Sequence, residues 1–209
     1  MMKIAVPLGT DTCSKMVYDL PVENAVCYVK GEFKDNFLST MCKLYYLKKD
    51  AVFVYTDKVD VELIELEKAC EGICINDESL ESNIKDCVRA INKAKEDNTC
   101  YDYSRMLIVS NLSKELDRVR EDSKYMENLI TVLTEGPRYG INLFCIEYGN
   151  VPLCCTRCNL TLFYGEYNGR KLPDGVVAVK QQNIIADVKY FNKVNLLGKG
   201  SAIVGDNDN

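Results

Sequence analysis

The chain of 209 residues carries 26 basic and 31 acidic side chains, a net charge of −5, with 47% hydrophobic content and no histidine. That length buries one sizeable core and is short for two or three domains, and the acidic balance argues against a surface built to neutralise nucleic-acid phosphates, so no nucleic-acid partner is expected. The longest apolar runs, 105–112 and 141–146, fall far below the roughly 20 residues of a membrane helix, and no signal-type apolar region follows Met1, so no direct membrane insertion is expected.

Residues 3–8 and 15–20 flank the turn-forming stretch GTDTCS and predict an antiparallel hairpin. The continuous apolar run 25–29 predicts a buried strand ending near Gly31, and the spacing of Phe37, Leu38, Met41, Leu44, Tyr45 and Leu47 predicts a helix over 35–48. The pattern recurs with a strand at 51–55, a helix over 59–70, a short strand at 72–75 and a helix from about 78 to 96. Asp77 or Ser79 is placed to cap that last helix, with Glu81 or Ser82 in its first turn. A third strong strand at 105–109 leads into a helical stretch over 113–135 with a break near Glu121 to Ser123, stopped by Gly136 and Pro137. Strands alternating with helices imply an α/β fold with a mostly parallel sheet.

After a fourth buried strand at 141–146 the helical signal fades, and 159–164, 176–180, 184–191 and 201–204 read as strands of closing β ribbons. The expected organisation is a single domain over 1–205 and a polar tail at 206–209. Tyr45, Tyr46, Tyr164 and Tyr167 read as core or rim packing, and the charged run from Lys114 to Lys124 as a solvated helix face. The 11 cysteines are scattered and odd in number, which suits reduced thiols in a cytosol. Cys154, Cys155 and Cys158 form the one dense group and supply a CxxC, a pattern that holds zinc or undergoes redox exchange. Without histidine, a fourth zinc ligand would have to be a distant cysteine or a carboxylate, and no metal is assigned. An unrelated α/β protein with a cysteine redox or zinc site stays as an alternative.

A strand ending in glycine and followed by a helix is the physical setting of a phosphate-binding loop, because backbone N–H groups at the helix start cradle phosphates. A working loop has the spacing GxxxxGK[ST]. Counted from Gly31, the second glycine is Asn36, the lysine is Phe37 and the hydroxyl residue is Leu38, while Glu32 and Asp35 add negative charge. Lys34 offers one phosphate contact if the loop is shortened, and Ser39 and Thr40 lie just beyond. The second requirement is a carboxylate at the end of a central strand, to hold magnesium and activate water. After Met106, Leu107, Ile108 and Val109 stand Ser110 and Asn111, neutral residues that do neither at neutral pH. Both strands also fit plain core strands of another open α/β fold, with Gly31 a turn glycine.

The opening IAVPLGTDTCSKMVYDLPVENAVCYVKG resembles the first hairpin and nucleotide-loop strand of the FtsK/SpoIIIE ATPase superfamily. RMLIVSNL falls where that family carries its acidic strand, EGPRYGINLFCIEYGN is similar to its turn and sensor strand, and LLGKGSAIVGD resembles its closing Leu-x-Gly-x-Gly segment. The likeness spans nearly the whole chain. Within the superfamily the chain most resembles the last, degenerate ATPase domain of the type VII secretion coupling ATPases of the EssC/EccC kind: both hydrolysis motifs are missing, the charge is acidic, no DNA-reading winged helix is appended, and Glu147 replaces the polar sensor residue.

The resemblance implies a RecA-like P-loop NTPase fold on the cytoplasmic face of the cell membrane, within a larger membrane-anchored protein. It implies no catalytic residue, no cofactor, and a vestigial loop at Gly31 and Lys34; magnesium ATP at a regulatory or active site is the alternative. The partners it implies are secretion substrates such as helical-hairpin proteins of the WXG type, docking an amphipathic helix near the altered loop or the 154–167 segment, and adjacent ATPase domains of the same polypeptide.

Overall fold

The computed structural model describes residues 4–31, 36–99, 104–118, 122–149, 158–198 and 201–205. The chain opens with the expected hairpin, β1 (Ala5–Asp11) and β2 (Val17–Pro21), whose turn is pinned by the Asp11 carboxylate accepting from the backbone N–H of Cys13 at 2.8 Å and Ser14 at 2.6 Å. The α/β alternation follows: β3 (Ala25–Val29), α1 (Phe37–Tyr46), β4 (Ala51–Tyr55), α2 (Val61–Ala69), β5 (Ile73–Ile75), α3 (Leu80–Glu96) and β6 (Arg105–Ser110). The stretch predicted as one interrupted helix is two, α4 (Leu112–Arg118) and α5 (Ser123–Glu135), and a 3-10 turn over Gly136–Tyr139 leads into β7 (Ile141–Glu147). Asp60, Ser79 and Asp122 cap α2, α3 and α5 by accepting from backbone N–H groups three residues on, which satisfies donors that a helix start leaves unpaired. Ser79, one of the two capping candidates, holds that role for α3.

The remaining strands are β8 (Leu160–Tyr164), the two-residue pair β9 (Glu166–Tyr167) and β10 (Arg170–Lys171), β11 (Val176–Gln181), β12 (Ile184–Tyr190), β13 (Lys193–Gly198) and β14 (Ser201–Gly205). Ten strands form one sheet in the order β2-β1-β12-β11-β8-β3-β7-β6-β4-β5. The six from β8 to β5 pair in parallel, and β11, β12, β1 and β2 extend the sheet antiparallel. The closing strands therefore do more than make ribbons. Val177, Val179 and Val188 share a core with α1, so burying them requires that β11 and β12 join the main sheet. Outside the main sheet β9 pairs with β10, and β13 with β14 forms a C-terminal ribbon; β13 lies outside the strands the sequence predicts, although Val194 and Leu196 alternate inward on it.

Side chains of the central strands alternate between two cores. Cys27, Val29, Ile108, Phe144 and Ile146 pack with α1 and α2, whereas Val26, Leu107, Val109, Leu143 and Cys145 pack with α3 and α5. Chain direction explains the split: crossovers from β3 toward β5 run one way across the sheet and those from β5 back to β7 run the other. With right-handed crossovers the two sets of helices fall on opposite faces. Tyr45 and Tyr164 are buried in the first core, as core packing predicts. The carboxyl ends of β3, β7 and β6 consequently lie side by side at the point where the connections diverge, the usual position of a ligand crevice in an open α/β sheet.

Candidate functional site

Gly31 leaves β3 with φ +91°, a backbone setting glycine adopts without strain, and it faces open space. Beside it, Lys30 donates its N–H to the Tyr164 carbonyl at 2.9 Å, and Gly165 lets β8 approach so closely that a Cβ there would sit 2.3 Å from the Lys30 carbonyl oxygen. Lys34, Glu32 and Asp35 lie outside the described residues. Helix α1 starts at residue 37, where the ungapped count places the phosphate-binding lysine.

Phe37 is fully buried, with its ring 5.1 Å from that of Tyr190 and 5.5 Å from that of Tyr164. Asn36 donates its side-chain N–H to the Asn192 carbonyl at 2.9 Å, and Leu38 is buried. Of the two hydroxyls just beyond, Ser39 lies 2.7 Å from the Glu62 carboxylate and 2.9 Å from the Asn36 carbonyl, while Thr40 Oγ1 is buried with no partner among the described residues. The start of α1 is thus turned into the core and toward α2.

At the end of β6, Asn111 takes φ 64° and donates its N–H to the Ile146 carbonyl of β7 at 2.6 Å. The Ser110 side chain hydrogen-bonds Tyr148, whose hydroxyl is held above the ordinary phenol range mainly by burial, and the Lys58 ammonium lies 5.6 Å from the Tyr148 ring. Glu147, the last residue of β7, is fully buried and sits beside Tyr28 of β3 in register. Its carboxylate accepts from Ser113 N–H at 3.2 Å and from Ser113 Oγ at 2.7 Å, which caps the start of α4 from a neighbouring strand. Burial pushes its pKa up, opposed by the bonds from Ser113 and from the Leu112 N–H.

A cleft of about 530 Å³ adjoins this arrangement, between the ends of β4 and β6 and the start of α3. Lys114 at its rim pairs with Asp57 at 3.5 Å. Among the described residues no cluster of three or more cysteines and carboxylates is placed to hold a metal; Cys158 is half-buried, and Cys154 and Cys155 lie outside the described residues. The described residues of the crevice do not fit a magnesium nucleotide held in the usual way. Phe37 and Leu38 stand in the core at the lysine and hydroxyl positions, Ser110 and Asn111 bring no charge for the metal, and Glu147 at the end of β7 is spent on capping a helix, while the carboxylates of Asp57, Glu78 and Glu115 line the adjoining cleft.

The raised Glu147 pKa makes the stability of the fold depend on pH. Its contribution to stability is fully present below the unfolded value near 4.5 and is lost as pH rises through the folded value. The wild-type protein should therefore exceed Glu147→Gln in stability by more at pH about 5 than at pH about 8. Glu147→Leu strands the Ser113 donors and should cost about 1–3 kcal/mol at either pH. Urea midpoints of the three proteins at both pH values decide this. Sequence reading had marked Glu147 as a sensor-position change but missed Ser113; the available signal was an acidic residue closing a strand that is otherwise apolar, which needs a donor when buried.

The element order and sheet are those of a RecA-like P-loop NTPase fold. No family model matches the chain, and no curated protein does. Solved structures of the same fold include the cytoplasmic domain of EssC, with TM-score 0.67 and 10% identity over 89% of this chain and 42% of that one. Another is Thermomonospora curvata EccC (ATPases 2 and 3) in complex with a signal sequence peptide, at TM-score 0.63 and 12% identity over 90% of this chain and 40% of that one. A third is the pCW3 conjugation coupling protein TcpA, at TM-score 0.66 and 14% identity over 91% of this chain and 66% of that one. The chain spans about two fifths of the length of those EssC and EccC structures.

Proposed function

We propose that this chain is a non-hydrolysing ATPase-fold domain of a type VII secretion coupling ATPase, working on the cytoplasmic face of the membrane as a docking module for secretion substrates and for neighbouring ATPase domains. The observation that carries the reading is Phe37, a core phenylalanine at the phosphate-lysine position of a fold shared with EssC and EccC. A loop so altered binds no phosphate through that residue, which leaves surfaces as the means of action. The peptide in the EccC structure supports a peptide partner, and the missing carboxylate at Ser110 and Asn111 supports the absence of hydrolysis. No helix among the described residues is long and apolar enough to cross a membrane, which fits a domain carried by a separate anchor.

Two measurements test the reading. Titration with magnesium ATP should leave the melting temperature unchanged, whereas a ligand at 100 times its dissociation constant would add about 2.7 kcal/mol. A saturable shift abolished by Lys34→Ala would replace this reading with nucleotide-gated regulation. In the second measurement, a co-encoded WXG-type protein or its terminal peptide should bind saturably; failure of every such candidate would remove the docking reading.

A further inference from the structure

Besides the crevice, the molecule carries a groove of about 670 Å³ between α1, α2 and β13, on the first-core side of the sheet. Its floor is helical, with Tyr46 from α1 and Leu66 and Ala69 from α2. Its wall is four consecutive residues of β13, Val194 to Leu197, and β14 contributes none. Val194 and Leu196 are the inward residues of the ribbon, packed on the core, while Leu197 is 67% exposed on the outer side. Asn195, of opposite parity to Val194 and Leu196, and Leu197, which sits where the register with β14 shifts between Leu196 and Gly198, line the groove with them, so the groove runs along the edge of the strand. Among the described residues β13 pairs only with β14, and no other strand completes that edge. An unpaired strand edge presents alternating N–H and C=O groups that another strand can complete.

We propose that this groove takes an extended peptide segment of a partner protein as an added strand on β13. The peptide carries apolar side chains at alternate positions, directed to the helical floor, and a basic side chain facing α2. Two features of the site select that chemistry. Alternate side chains of a strand point to opposite faces, so one set meets Leu66 and Ala69 while the other meets solvent beside Leu197. Among the described residues, Glu62 and Glu65 line the α2 side against a single ammonium, Lys43, on the α1 side, so a basic residue is favoured over an acidic one. A docked helix, about 10–12 Å across, would leave the β13 edge unpaired. The β5 edge of the main sheet is less open: there the Ile75 N–H is already taken by the Glu67 carboxylate at 2.6 Å.

The inference rests on the docking reading and narrows it to one surface and one mode. It is tested by selecting binders from a random twelve-residue peptide library displayed on phage, using the full chain as bait, then measuring the selected synthetic peptides by fluorescence anisotropy. The expected result is binders with alternating apolar residues and a basic residue, weakened about tenfold or more by Leu197→Asp and by Glu65→Lys. Both substitutions are at exposed positions, and melting curves of the two variants, expected to match the wild type, check that the fold is kept. Single backbone N-methylation along the peptide should weaken binding at every second position, by about threefold to tenfold for each lost hydrogen bond. Binders insensitive to both variants, or with apolar residues three and four apart and no alternating N-methyl effect, overturn the added strand while leaving docking elsewhere intact. Failure to select any binder removes the strand site, and saturable binding of a WXG-type protein would still decide the docking reading separately.

Discussion

Phe37→Lys, which writes back the residue a working phosphate loop carries, should destabilise the protein by about 4 kcal/mol or more and confer no nucleotide binding. The ring of Phe37 is fully buried against Tyr164 and Tyr190, at the junction of α1 with β8 and β12. Removing it opens a cavity of aromatic size, and an ammonium in its place finds an apolar surrounding that penalises its charge. Against a typical total of 5–15 kcal/mol, a loss of that size leaves a domain close to unfolding at room temperature. Phe37→Leu, which keeps an apolar side chain, should cost about 1–2 kcal/mol. Urea denaturation of both variants, with and without magnesium ATP, gives the comparison. A Phe37→Lys protein within about 1 kcal/mol of wild type would mean that residue 37 reaches solvent, and the vestigial-loop reading would fall with it.

The same residue shows how far the sequence could be read. Counting from Gly31 was enough to say that the lysine was missing, and the apolar spacing of α1 already put Phe37 on its buried stripe. Periodicity also located the parallel strands, because each is a short apolar run between turn residues, and Ser79 was readable as a cap from its place before an apolar-periodic stretch. What periodicity does not carry is pairing across long stretches of chain. Nothing local says that β11 and β12 attach to β1 and β8 and lengthen the main sheet, or that β13 leaves an edge beside α2. The capping of α4 by Glu147 joins residues 34 apart, and Lys49 finds Asn142 at a separation of 93. Such contacts are set by the order of strands in the sheet.

Lys49 and the buried cysteines together predict a stability that peaks in mildly alkaline solution and then falls steeply. Burial holds the thiols of Cys27 and Cys42 far above the ordinary value of 9 and that of Cys87 up to about 11. A raised acid stabilises fully below its unfolded pKa and loses that contribution as pH rises, because the unfolded chain releases protons that the folded one retains. Each such thiol subtracts up to about 1.4 kcal/mol per pH unit above its unfolded value. Lys49 works the other way. Its ammonium is buried, 2.8 Å from the Gly140 carbonyl oxygen and 2.6 Å from Asn142 Oδ1, with its pKa lowered to about 8 from 10.5 by desolvation. Between those values the folded protein has released a proton that the unfolded chain still holds, so stability rises with pH there. One rising proton acts alone between about pH 8 and 9 and is outweighed above that by the thiols, with Tyr45 and Tyr55, also raised by burial, adding to the decline above pH about 10. Urea midpoints measured from pH about 7 to 10.5 should show a rise, a maximum and a fall. Lys49→Met should remove the rise, and Cys27→Ala with Cys42→Ala should reduce the downward slope by roughly 2–3 kcal/mol per pH unit at its steepest. A double cysteine variant whose curve runs parallel to that of the wild type would mean that these thiols ionise in the folded protein, and the buried placement of β3 and α1 that sets their acidity would be wrong.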